Sequence, residues 1–384
     1  MLIYPTLKMA PIQGLTGFGG GATGYLVGGG SGPVHPFDDM SNFSGASKAS
    51  ANVIYYTYAV TSGNTKSFTD PNGGLSKFRF TVVGGGGATS GDGGGWYGTT
   101  GGGGGGAARG EIQTSLTLGI NVAQGGGSPI ISGVSGSSVS GWLQSSITSM
   151  ANGTNAVDGR GGLSYVQAAA NPSGHWLLYG YGGLPGAQGY HNSLANRFGG
   201  LSGGYSSSFN GNRSFWLNGG KAVVSSGGGV TVTNGTTEYG GTGGCAAHKN
   251  YYQSGIADHP LDGKATYPSN STWAATDGES TTYAGPGGGG GSDYDEAYTI
   301  GSGSDSYAAG AAGGSASGLN TLLSGSGISS VGGNGSNYSA RGNAATYGTL
   351  GGGAGGNSRY SSSDSWNDNF RAAAGIVVVE FLGF

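Results

Sequence analysis

Alternation of apolar and polar positions marks the chain's clearest element. Over Lys77–Val83 (KFRFTVV), Phe78, Phe80 and Val82 fall on one face, while Lys77, Arg79 and Thr81 fall on the other. That period of two is the signature of a half-buried strand. Val53–Val60 (VIYYTYAV) is rich in β-branched and aromatic residues and reads as a second strand. Asp70, Pro71, Asn72, Gly73 and Gly74 between them are turn residues, so a hairpin is expected. Glu111–Val122 (EIQTSLTLGINV) alternates in part and predicts a further strand. Near the end, Ile376–Val379 is a continuous β-branched run within Ala372–Phe384. Such a run predicts a strand buried on both faces, able to close the sheet opened near residue 78. Amphipathic helical periods are almost absent, residues 1–50 hold none, and His35–Phe37 reads as a loop.

Between these strands the pattern gives way to glycine: Gly84–Gly87, Gly93–Gly95 and Gly101–Gly106. Within and beyond these runs glycine recurs at a spacing of three. The positions are Gly95, Gly98, Gly101 and Gly104, then Gly183, Gly186 and Gly189. The spacing returns at Gly240/Gly243, Gly241/Gly244, Gly352/Gly355 and Gly353/Gly356. A polyproline-II-type helix has three residues per turn, so this spacing lays a bare edge along one side. Bare edges let backbones approach, N–H to carbonyl, with Cα–H···O contacts in addition. The expected fold is therefore all-β or irregular: a β-sheet packed with a bundle of glycine-rich polyproline-II-type helices and almost no α-helix. The competing interpretation, that the runs are flexible linkers, leaves little for them to link. Four regions follow: an N-terminal segment 1–50, strands with the first glycine runs over 51–125, a glycine-rich region with polar inserts over 126–370, and a closing strand over 371–384 that belongs with 51–125. No uniform longer repeat is present, which argues against a regular solenoid.

Composition sharpens this picture. Of 384 residues, 91 are glycine, about a quarter against roughly 7 % in ordinary proteins. Collagen would need unbroken triplets and abundant proline, whereas the chain has 11 prolines and repeatedly breaks the triplet. Disordered chains are poor in aromatics, whereas 10 % of this one is aromatic. Each glycine loses about 0.5–1 kcal/mol more backbone entropy than alanine on folding, so close backbone packing has to supply the compensation. Charged residues make up 9 % and the net charge is −3, which excludes the basic field of a nucleic-acid binder. No apolar run reaches 18 residues, so no membrane insertion is expected. The opening MLIYPTLK lacks the pattern of a secretory signal.

Chemistry-bearing motifs are few. Gly-x-Gly-x-x-Gly matches arise by chance in so glycine-rich a chain, and Lys221 lacks the context of a phosphate loop. The single cysteine, Cys245, stands three residues before His248, with His259 further on, and Asp293, Asp295 and Glu296 cluster. Neither group has the spacing of a known metal site, and both read as loops. No catalytic residue, metal or cofactor is implied. The aromatics stand out more: Trp142, Trp176, Trp216, Tyr251, Tyr252 and Trp273 lie beside Asn, Ser and Gly. They either roof the glycine core or contact a receptor or another subunit.

The order of segments carries a resemblance. Phe80–Gly87 ends a strand in Val-Val-Gly-Gly-Gly-Gly, Gly101–Ala108 is a glycine run, Leu116–Val122 is a Leu/Val-rich strand, and Gly375–Glu380 reads Gly-Ile-Val-Val-Val-Glu. In this order, over about residues 53–384, the chain resembles the glycine-rich domain of bacteriophage tail fibre and fibre-tip adhesin proteins. The resemblance implies a non-enzymatic virion protein that packs polyglycine helices and presents loops to host-surface glycans or proteins. It also implies self-association as a homo-oligomer or filament, with residues 1–50 as the segment that meets other virion proteins. The inserts over 128–180 and 245–285 are longer than the pattern. Two competing expectations are a self-assembling extracellular filament or surface protein of a cell, and an ice-binding protein.

Overall fold

The computed structural model describes residues 32–58, 65–88, 101–125, 161–168, 175–183, 222–244, 248–249, 272–273, 277–289, 312–335, 348–356 and 372–384. The chain divides into two units, Met1–Val34 and His35–Phe384. The second is all-β, with one short α-helix among the described residues.

Its strands are β1 (Ala46–Ser50), β2 (Val53–Thr57), β3 (Thr65–Phe68), β4 (Lys77–Val83), β5 (Ala107–Ile112), β6 (Leu118–Asn121), β7 (Ser164–Ala168), β8 (Trp176–Gly180), β9 (Ala222–Val224), β10 (Val232–Glu238), β11 (His248–Lys249), β12 (Thr272–Trp273) and β13 (Ile376–Gly383). Two antiparallel sheets form the frame, ordered β1-β2-β13-β4-β5-β10 and β3-β6-β7-β8-β9, and β11 pairs with β12. Helix α1 spans Ser317–Leu322. His35–Phe37 is not a loop: Pro36–Asp38 is a 3-10 turn, capped where the Phe37 N–H donates to His35 Nδ1.

The alternation of β4 is realised as expected on its inner face. Phe78, Phe80 and Val82 meet Phe68, Leu118, Ile120, Val166, Leu177 and Leu178 of the second sheet in one core. Two strand expectations are corrected. β2 and β4 do not form a hairpin, because β13 lies between them, pairing Val378 with Tyr55 on one side and with Thr81 on the other. A strand apolar on both faces belongs at the centre of a sheet, and the chain from β2 crosses to the other sheet as β3 first. The Asp70–Gly74 turn therefore joins β3 to β4. It is held by the Asp70 carboxylate, which accepts from the N–H groups of Asn72, Gly74 and Ser76. Likewise, Glu111–Val122 is not one strand. β5 and β6 lie in different sheets, separated by a turn in which the Leu116 N–H donates to Thr114 Oγ1.

β13 is buried on both sides, as its unbroken apolar run predicts. Val377 and Val379 enter the core between the sheets, while Ile376 and Val378 pack with Val53, Val83, Ala107, Leu319 and Leu323 beneath α1. Residues 35–50 also build this unit. Phe37 and Phe43 are buried in the core, and β1 pairs with β2.

At one end of the sandwich the strands run on into glycine. β4 continues as Gly84–Gly87, Gly101–Gly106 leads into β5, Tyr181–Gly183 follows β8, and Gly240–Gly244 follows β10. Face-packed sheets normally stand about 10 Å apart because side chains fill the gap. Without side chains the two layers bond directly. Gly106 N–H donates to the Tyr181 carbonyl at 2.8 Å, and Gly183 N–H to Gly85 at 2.7 Å. Gly101–Gly106 lies at the centre of this lattice. Gly101 and Gly104 donate to Gly244 and Gly241; Gly102 and Gly105 donate to Ala354 and Gly351; the carbonyls of Gly103 and Gly106 accept from Gly87 and Gly84. Each direction thus returns every third residue, where an ordinary strand would alternate every second. A Cβ placed on Gly104 would lie inside 3.0 Å of the Gly285 carbonyl, and one on Gly102 inside 3.0 Å of Gly87. The linker interpretation fails for these runs, since Gly84–Gly87 and Gly101–Gly106 are buried throughout.

Candidate functional site

The run ends on the far side of the lattice form one bonded cluster. Gly101 donates to Gly244, Gly244 to Gly288, Gly278 to Ala312, Gly289 to Gly333, and Gly356 to Gly289. These are the positions from which the chain leaves for, or returns from, residues 89–100, 245–277, 290–311, 335–347 and 357–371. Glycine is what allows so many chain crossings in so small an area, because each run takes up only the width of a backbone. Residues 126–160 and 184–221 follow Gly125 and Gly183 in the chain. Together these stretches carry Trp96, Trp142, Trp216, Trp273 and Trp366, five of the six tryptophans, and they are rich in Tyr, Ser, Asn and Gly.

The other tryptophan, Trp176, sits on the outer face of the second sheet, half-buried in an aromatic row. It stacks on Tyr165 with centroids 5.5 Å apart and meets Tyr179 edge-on at 5.5 Å, and Tyr179 meets Tyr181 edge-on at 5.5 Å. The register explains the row. Tyr165 lies opposite Tyr179, and a bulge between Val166 and Gln167 brings Trp176 opposite Gln167. Burial raises the Tyr165 phenol above its ordinary value. It pushes Tyr181 up to about 12, with the neighbouring Tyr179 adding to the effect. Both phenols stay neutral at physiological pH and act as hydrogen-bonding, apolar-bodied groups.

The remaining predicted positions fall as follows. Gly101, Gly104 and Gly183 are buried in the lattice. Trp273 belongs to β12, its backbone paired with His248. Trp142, Trp216, Tyr251, Tyr252, Gly95, Gly98, Gly186 and Gly189 lie outside the described residues. So do Cys245, His259, Asp293, Asp295 and Glu296.

The outer face of the first sheet holds charges that the sequence reading did not single out. Glu111, 3 % exposed, pairs with Lys77 at 2.6 Å and Arg79 at 2.5 Å and accepts from Asn234 Nδ2 at 2.8 Å. The Lys77 and Arg79 donors pull its carboxyl down to about 2 against the opposing effect of burial. Arg109 pairs with Glu380 at 2.6 Å, donates to Thr81 Oγ1 at 2.9 Å, and lies 3.8 Å over the Tyr283 ring. Alternation along β4 and β5 does place Arg79, Arg109 and Glu111 on one face, but only strand register says that they meet. Among the described residues no group of three or more His, Cys, Asp or Glu could hold a metal ion, and no helix is long and apolar enough to cross a membrane.

Compared with known protein families and with curated proteins, the chain matches no family model and no curated relative.

Proposed function

We propose that this chain is a non-enzymatic structural protein of a bacteriophage virion, a tail fibre or fibre-tip component whose glycine lattice presents polar, aromatic segments for attachment to a host surface. The observation that carries this reading is the bonded cluster of run ends at Gly101, Gly244, Gly289 and Gly356, from which five such segments depart together. Their composition supports it. Tyr, Ser, Gly and Asn with occasional Trp is the palette of antibody combining loops, where aromatics give contact area at low entropic cost. The segments are also long, and long loops on a rigid frame are where binding function concentrates.

The lattice in this reading is wound with three residues per turn. What supports the winding is the threefold return of hydrogen-bond direction along Gly101–Gly106. Its role is mechanical: backbone bonds in several directions resist bending and shear better than a single sheet does. The opposite end of the sandwich, with Leu75, Leu116 and Phe384 exposed, together with the N-terminal segment, would meet other virion proteins or further copies of the chain. Because residues 35–50 contribute to the sandwich core, attachment is assigned to residues 1–34.

Immunogold electron microscopy of particles from the source lysate tests the proposal. Label at tail-fibre ends of phage particles is expected. Label on cell-surface filaments, with particles bare, would overturn it in favour of a cellular filament.

A further inference from the structure

We propose that a cleft beside Arg109 is a binding site for one neutral sugar ring, separate from the segments at the far side of the lattice. The cleft measures about 250 Å³ and is lined by Ala107 and Arg109 of β5, Thr236, Thr237 and Glu238 of β10, and Thr282 and Tyr283. Ligand pockets for drug-sized molecules run to roughly 300–1,000 Å³, so this one has room for a single ring.

Its walls are held before any ligand arrives. Arg109 is fixed from three sides, by the Glu380 carboxylate, by Thr81 Oγ1 and by the Tyr283 ring. Tyr283 is itself confined, because a Cβ on Gly318 of α1 would lie inside 3.0 Å of its ring. Glu238 is fixed by the N–H groups of Thr282, Tyr283 and Ala284, all donating to its carboxylate. Binding therefore orders few side chains, and preorganisation of this kind lowers the cost of association.

Charge decides the ligand class. Arg109 is the cation of the lining and is already paired with Glu380, and Glu238 is the carboxylate of the lining, already engaged by backbone N–H groups. An anion such as phosphate would meet the Glu238 carboxylate beside an Arg109 already neutralised by Glu380; a cation would meet Arg109. What remains is a neutral molecule that both donates and accepts hydrogen bonds. The hydroxyls of Thr236 and Thr282 do both, as do the hydroxyls of a hexopyranose. The register places Thr236 directly opposite Arg109, so a ring lying across β5 and β10 reaches both.

The test is saturation-transfer NMR and titration calorimetry on the full chain, with methyl glycosides of glucose, galactose, mannose and N-acetylglucosamine as neutral probes and inorganic phosphate as the anionic one. At least one glycoside is expected to bind saturably and phosphate not to displace it. Thr236→Val and Thr282→Val change exposed residues and keep their β-branched shape. Each is expected to weaken binding about two- to tenfold, the loss of one hydrogen bond, with the thermal midpoint unchanged. No saturable glycoside, displacement by phosphate, or undiminished binding in both variants would overturn the proposal. None of these outcomes bears on where the protein sits in a virion, so the two readings fail separately.

Discussion

At the scale of single residues, two positions separate what glycine does in the lattice from what it does in a strand. Gly104 has a neighbouring backbone carbonyl, that of Gly285, where its Cβ would go, and a backbone surrounded by others cannot swing aside. Gly104→Ala is expected to destabilise by about 1–3 kcal/mol or more, the cost of overpacking. Gly119 in β6 faces only the Gln167 side chain, at 3.1 Å. There alanine is expected to be neutral or to stabilise by up to about 1 kcal/mol, because glycine in a strand is entropically unfavourable. Urea midpoints of the two variants check the contrast, and equal effects would refute the lattice account. Glu111 makes a different kind of prediction. Its folded carboxyl titrates near 2, below an ordinary value of 4.5. The Lys77 and Arg79 contacts therefore contribute stability above about pH 4.5 that is lost as the pH falls toward 2. The wild-type urea midpoint should drop across that window, while Glu111→Gln, less stable at neutral pH, should show a flatter profile. Parallel profiles would remove Glu111 from the account of acid sensitivity.

At the scale of elements, what could be read in advance was local and what could not was pairing. The inner triad Phe78, Phe80 and Val82 and the doubly buried Ile376–Val379 were legible because alternation, or its absence, reports how many faces of a strand are covered. The hairpin between β2 and β4 misled because adjacency in sequence is only a tendency, and β13, some 300 residues on, satisfies both neighbours better. The threefold glycine spacing was legible as close backbone approach. The partners of Gly101–Gly106 were not, since identical glycines give no sign of which run bonds which. The aromatic row of Tyr165, Trp176, Tyr179 and Tyr181 depends on a bulge that alternation does not disclose. The double burial of β13 is itself testable. Val377→Ala and Val378→Ala face opposite ways, and both are expected to cost about 1–3 kcal/mol by denaturant titration. A strand with one solvated face would show that cost at one parity only.

At the scale of the whole molecule, the strand-to-glycine transition joins a side-chain core to a main-chain lattice. The sandwich supplies a conventional core with Phe80, Ile120, Leu178 and Val379 at its centre. The lattice extends that core through main-chain bonds, mostly from glycine N–H groups to carbonyls of neighbouring runs, such as Gly106 to Tyr181 and Gly353 to Pro286. Long connections between fixed ends cost little, because closure entropy rises only with the logarithm of length. The sequence of each segment should therefore be exchangeable while the frame stays intact. Replacing residues 290–311 with a short Gly-Ser linker is expected to leave the denaturation midpoint within about 1 kcal/mol of wild type, because Gly289 and Ala312 keep their lattice bonds to Gly333 and Gly278. The proposed function adds that attachment to host cells weakens in the same variant, measured as cell-bound fluorescence of the labelled protein. Loss of folding with the segment would mean that the lattice depends on residues 290–311. Retained folding with unchanged adhesion, repeated across 245–277, 335–347 and 357–371, would separate the far side from attachment and leave the lattice a purely structural element.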